Sequence, residues 1–336
     1  MTRYKALALT SALIAGMAAA STAASAQTET DTISRISAFF QGADLRGAPE
    51  IVDCTLSGGA RTRCVLITLK AEPKGYTPGP WCPGNISDGA EAGGIWLKDG
   101  EVHDVDGSFI KNLAELYGDT EWQLYDPDTG DIRFTGTLQA CEAAARPDVD
   151  PAYQNYCVQC LPEYMPENAT VTFVIPLEPQ PAGRPQPTHF SGSGIAYNGI
   201  RLDGPAPLDA ILAAHTIAPF DDCGGHVNTH VGYHYHAVTD CLKQAPATFG
   251  PVPAEHGTQI GIAMDGYQIF PHLMVAGTEP DDLDSCNGHE SEDGSYHYHA
   301  GAAGSNAILG CLTAQAGCVF EAGTATCDAS KPPPRP

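Results

Sequence analysis

Positive charge is scarce in this chain. Seventeen lysines and arginines stand against 40 aspartates and glutamates, a formal net charge of −23 over 336 residues. Such a surface repels polyanions, so nucleic acid is not an expected partner, and it attracts cations. Long apolar runs are equally scarce. Beyond residue 26 none approaches the ~20 residues that cross a bilayer, so membrane insertion is not expected. Methionines number only five, too few to build thioether metal sites. No Gly-x-Ser-x-Gly elbow occurs, which argues against a serine hydrolase of that type; "SGSG" at Ser191–Gly194 reads as a loop.

The first 26 residues differ from the rest. Arg3 and Lys5 precede an Ala/Leu-rich stretch that closes on "ASA" before Gln27. This is the pattern of a secretory signal peptide cut after Ala26, and it predicts a secreted or periplasmic protein. All 12 cysteines lie after it, and an even count in an oxidising compartment implies disulfides. Cys54–Cys64 would clasp a hairpin, and Cys223–Cys241 and Cys286–Cys311 would each close a histidine-bearing loop. "CVQC" at Cys157–Cys160 lacks the strand-to-helix setting of a redox pair, so structural disulfides are expected there.

Residues 27–180 read as an N-terminal β-rich region. "RCVLITLKA" from Arg63 and "ATVTFVIPL" from Ala169 are β-branched strands. "DGSFIKNLAELYGD" predicts a short helix capped by Ser108 and stopped at Gly118. "EWQLYDPDTGDIRFTGTL" carries two strand-like runs about a turn. Its "DPDTGD" has Gly130 and Thr137 where a calcium loop wants other residues, so a plain turn is expected. A Pro-rich connector from Pro176 follows.

Residues 185–325 hold a duplication. "DDCGGHVNTHVGYHYHA" from Asp221 and "DSCNGHESEDGSYHYHA" from Asp284 share Asp-x-Cys-x-Gly-His, seven residues, then His-x-His, at a constant offset of 63. "HFSGSGIAYNG" from His189 and "HGTQIGIAMDG" from His256 align at an offset of 67. The repeats run from about 189 to 241 and from 256 to 311, and two copies of one unit imply a pseudo-twofold domain. Asn-Gly and Asp-Gly between apolar residues mark a hairpin in each copy, and "PAPLDAILAAH" from Pro205 reads as a short helix. The fold class is therefore mainly β, disulfide-stabilised, with a few short helices.

In a strand, alternate residues share a face. Tyr-His-Tyr-His thus puts His234 and His236 on one side, about 7 Å apart along the backbone, and two tyrosines on the other. His226 supplies a third imidazole, and His289, His297 and His299 repeat the set. Three histidines, two from His-x-His, are the ligands of a metal site with an open position. His189 and His256 are candidate fourth ligands. Asp221 and Asp284 align and either orient imidazoles or cap loops, and Asp265 stands opposite Asn198. His103, His215, His230 and His272 lack counterparts and are read as incidental. Imidazole donors in an oxidising compartment suit copper or zinc. Two ions, one per repeat, or one ion shared at the pseudo-twofold axis both satisfy the pattern.

The paired "GYHYHA"/"SYHYHA", with "CGGHVN", "CNGH" and "GIAMDG", resembles the YHYH domain family of exported proteins over at least residues 185–315. "PWCPGNISDG", "GIWLKDGEVHDVDGSFI" and "YCVQC" are similar to the N-terminal part of its longer members. The resemblance points to His226, His234, His236, His289, His297 and His299, and to His189 and His256, without supplying a reaction. The expectation is an exported metal-binding protein handling copper or zinc. The competing readings are a metal-dependent hydrolase or oxidase with an open three-histidine site, and a structural extracellular interaction module.

Overall fold

The computed structural model describes residues 27–146, 148–189, 191–242, 245–321 and 326–331. The signal-peptide reading of residues 1–26 lies outside them. Helix α1 (27–39) buries Ile36 and Phe39 completely, and Phe40 follows directly. These side chains share one core with the first sheet. Strands β1 (Glu50–Thr55) and β2 (Arg61–Lys70) form a hairpin clasped by the expected Cys54–Cys64 disulfide. Alternation in β2 sends Val65, Ile67 and Leu69 to the main core, and Cys64 and Leu66 to a smaller cluster on the other face.

A second hairpin, β3 (Ile95–Lys98) and β4 (Glu101–Asp104), turns at Asp99-Gly100, both with positive φ. The expected single helix is two: α2 (Gly107–Lys111) and α3 (Leu113–Tyr117), separated at Asn112. The cap is Asp106, which accepts from the Phe109 N–H at 2.6 Å, rather than Ser108; Gly118 ends α3 at φ 61° as expected. The runs flanking "DPDTGD" form isolated bridges such as Tyr125↔Ile132 rather than strands. The turn itself forms, with Asp126 accepting from the Asp128 and Thr129 N–H groups.

Helix α4 (Leu138–Ala144) ties to "CVQC" through Cys141–Cys160, and Cys157 pairs with Cys82. Both pairings are structural. Strand β5 (Thr170–Pro176) pairs with β2, and the Pro-rich connector becomes β6 (Pro181–Gln186).

The duplicated segment forms one eight-stranded sheet. The first copy supplies β7 (Gly194–Ala196), β8 (Arg201–Leu202), β9 (Gly225–Asn228) and β10 (Gly232–Tyr235). Helix α5 (Leu208–Leu212) lies between β8 and β9. The second copy supplies β11 (Gly261–Ala263), β12 (Gln268–Phe270), β13 (Gly288–Glu290) and β14 (Tyr296–His299). The order β13-β14-β12-β11-β7-β8-β10-β9 reads as the same four strands outward from the centre in either direction. The antiparallel β7–β11 pair sets Ile195 against its own counterpart Ile262, so the pseudo-dyad passes between them. The Asn198-Gly199 and Asp265-Gly266 turns form, with glycine φ of 85° and 95°. Strand β15 (Leu312–Ala314) pairs with β6, and β16 (Cys318–Phe320) joins β5, giving the four-stranded order β1-β2-β5-β16.

The structure is mostly β, 27% strand against 16% helix, which bears out the expected class. All 12 cysteines are paired, including Cys223–Cys241 and Cys286–Cys311 as expected and Cys318–Cys327. Among the described residues no helix is long and apolar enough to cross a membrane.

Candidate metal centre

The seven-residue gap in the repeated motif is a β-hairpin. Strands β9 and β10 pair so that His226 faces His234 directly, and β13 and β14 set His289 against His297. Directly opposed residues point to the same side. The next same-side residue, His236 or His299, completes the set.

The rest of the motif holds this hairpin in place. Asp221 accepts from the Cys223 and Gly225 N–H groups and from the Tyr233 hydroxyl, at 2.8–3.1 Å. Asp284 does the same for Cys286, Gly288 and Tyr296 at 2.8–3.1 Å. The two aspartates are therefore loop caps and tyrosine acceptors. The glycine is required because the tyrosine ring passes over it: a Cβ on Gly225 would lie 2.4 Å from the Tyr233 hydroxyl oxygen, and one on Gly288 2.0 Å from that of Tyr296. Tyr233, Tyr235 and Tyr298 are fully buried on the opposite face from the histidines.

In the second copy His256 joins the three. The four rings stand 4.5–5.5 Å apart in all six pairings. Imidazoles bonded at 2.0–2.1 Å to one tetrahedral ion have ring centres about 5 Å apart. In the first copy, His226, His234 and His236 form a near-equilateral triangle of 4.8–5.0 Å. Within each group one ligand atom per residue lies within 4.8 Å of all the others.

Proton positions favour a cation. The Nδ1–H of His236 donates to the Gly204 carbonyl and that of His299 to the Pro271 carbonyl, both at 2.7 Å. His234 donates to the Gly232 carbonyl at 3.0 Å, and His297 makes a longer contact of 3.4 Å to that of Ser295. His289 donates to the Asp282 carboxylate at 2.6 Å. A proton held on Nδ1 leaves the lone pair on Nε2, the tautomer a metal takes. The buried Nε2 atoms of His297 and His299 have no protein partner, a cost that a bound ion removes.

Burial also favours the neutral ring at six of these positions. It pushes His226 and His234 well below the ordinary imidazole value and lowers His236 and His256; His297 falls to about 4 and His299 to about 3. Neutral imidazole is the ligand form.

The two groups are separate sites. Five strand spacings lie between β10 and β14, about 24 Å at the usual interstrand distance, so a single shared ion is excluded.

The sequence-predicted residues meet with one difference. His189, aligned with His256, is exposed and stands outside the three-histidine group, although it lines the same cavity. His230 sits exposed in the β9–β10 turn and belongs to neither group. His215 pairs with Asp119 at 2.9 Å, and His272 meets the Ala300 carbonyl at 3.2 Å. His103 lies 4.0 Å from Glu101. Sequence reasoning missed Asp282, Asp203, and the rings of Phe220 and Phe270, which pack on the two groups. Asp203 and Phe270 occupy aligned positions, so the offset of 67 carried a signal for them.

Asp265 lies on the tyrosine face and accepts from the Tyr298 hydroxyl at 2.7 Å and the Ala314 N–H at 3.0 Å. Its counterpart Asn198 donates to the Tyr235 hydroxyl at 2.9 Å. Burial outweighs these hydrogen bonds and pushes the Asp265 carboxyl up to about 6. Between its unfolded value near 4 and 6 the folded state holds the extra proton, so its contribution to stability falls as pH rises through that window. Asp265→Asn is expected to match native stability below pH 4 and to exceed it by about 2–3 kcal/mol at pH 8. Denaturant titrations at both pH values check this; a difference that does not vary with pH contradicts it.

Residues 172–281 match the sequence model of the family described as YHYH protein. The matched span contains the first histidine group and His256, and stops short of His289, His297 and His299. No curated protein and no solved structure matches the chain.

Proposed function

Since this chain is a YHYH-domain protein, we propose that it is an exported metal-binding protein that holds copper or zinc at two sites, one in each repeat. The observation that carries this reading is the convergence of His256, His289, His297 and His299 on one point, with the Nδ1–H groups of His289 and His299 anchored and the buried Nε2 atoms of His297 and His299 without protein partners. The residues fit the ion in donor type, spacing and charge state. When bound, the ion supplies a Lewis-acidic centre, and the chain's part is to hold neutral imidazoles about it in a fixed tautomer. Asp282 makes His289 a stronger donor by accepting its Nδ1 proton. Export is supported by the leader-like N-terminus and by the pairing of every cysteine.

Elemental analysis of the protein purified from an oxidising compartment tests the reading. Two ions per chain are expected, lost to a strong chelator and restored by zinc or copper(II). A chain that carries no stoichiometric metal and takes none up contradicts it.

A further inference from the structure

The two repeats match in sequence but their histidine groups differ in what surrounds them. The second group has four donors, so a tetrahedral ion there is saturated by protein. The first has three. A cavity of about 300 Å³ opens on those three rings, within the size range of small-molecule sites. Its walls come from both parts of the chain. Ala144 and Val158 belong to the N-terminal region, while Asp203, Ile211 and Val231 belong to the first repeat. The N-terminal region is held there by the Ile95↔Phe220 and Cys157↔Ile217 bridges.

One aligned position beside the rings also differs between the repeats. In the second repeat Phe270 packs its ring 5.1–6.1 Å from those of His256, His297 and His299. In the first repeat that place is Asp203, a carboxylate on the cavity wall that accepts from the Gly204 N–H and pairs with Arg201. His189, the counterpart of the fourth ligand, is exposed at the same cavity.

We infer that the first site keeps one coordination position facing this cavity, and that it takes a small organic molecule with a neutral nitrogen or oxygen donor on an apolar body, while the second site is closed to added ligands. This rests on the metal-binding reading above. The apolar wall side chains suit the body of such a molecule.

Cobalt(II)-loaded protein tests it, with 4-methylpyrazole as the probe and the visible d–d bands as the readout. One of two bound cobalt ions per chain is expected to respond, saturably. His234→Ala should remove the responding ion, and His297→Ala should leave the response intact. Ala210→Trp, on the half-buried face of α5 that lines the cavity, should weaken the probe at least tenfold with both cobalt ions retained. Two bound ions that both respond, or neither, overturn the inference, as does an Ala210→Trp titration identical to the native one. A chain that binds no cobalt, zinc or copper fails at the earlier step and overturns the metal-binding reading itself.

Discussion

Replacing His299 by alanine is expected to cost the protein one of its two ions and leave the other untouched. His299 is fully buried, its Nδ1–H is fixed on the Pro271 carbonyl, and its Nε2 has no protein partner. Loss of a group that merely orients a ligand weakens metal affinity 10–100-fold; loss of the ligand itself should exceed that. His236→Ala should empty the first site by the same argument, and the double variant should bind no stoichiometric metal. The fourth positions differ. His256→Ala should weaken the second site, because His256 closes that tetrahedron, whereas His189→Ala should leave the first site loaded. Stability follows the ion count. An ion present at 1,000 times its dissociation constant contributes about 4 kcal/mol, so chelation should destabilise each single variant about half as much as the native chain, and the double variant not at all. A single variant that still holds two ions contradicts the assignment.

The second large effect concerns Cys286–Cys311, which closes a loop with a sequence separation of 25 around His289 and the β13–β14 hairpin. Cys286 is buried, and its N–H is one of the groups that Asp284 caps. Removing the bond frees this loop in the unfolded chain and loosens the mount of a metal ligand. The chain-entropy cost for a loop of this length is about 3.5 kcal/mol. The Cys286→Ala, Cys311→Ala double variant should lose about that much stability without metal and should bind the second-site ion more weakly. Saturating zinc should restore part of the loss by mass action. Equal unfolding midpoints for the variant and the native chain would contradict the role given to this bond.

How much of this was legible beforehand depends on how local the determinant is. The hairpin turns at Asn198-Gly199 and Asp265-Gly266 were readable because the positive φ at their second position selects glycine. The histidine spacing was readable because a hairpin and a period of two fix which rings meet. Three disulfides followed from their enclosing a turn or a histidine loop; Cys82–Cys157, Cys141–Cys160 and Cys318–Cys327 offered no comparable signal. The Pro-rich segment became strand β6 because Leu312–Ala314, far along the chain, offers it a partner, and no local pattern reveals such pairing. Asn112 separates α2 from α3 for no reason visible in residue pattern alone. The parting of His189 from its group is a tertiary effect, since the sequence shows the alignment with His256 but not the cavity that stands beside the first group.

The most direct test is a crystal of the metal-loaded protein with anomalous scattering measured at the copper and zinc edges. The account predicts two peaks per chain, about 24 Å apart. One should lie 2.0–2.1 Å from the Nε2 atoms of His256, His289, His297 and His299, and the other at the same distance from those of His226, His234 and His236. Peaks held by other residues, or ordered histidine rings with no scatterer among them, would contradict it.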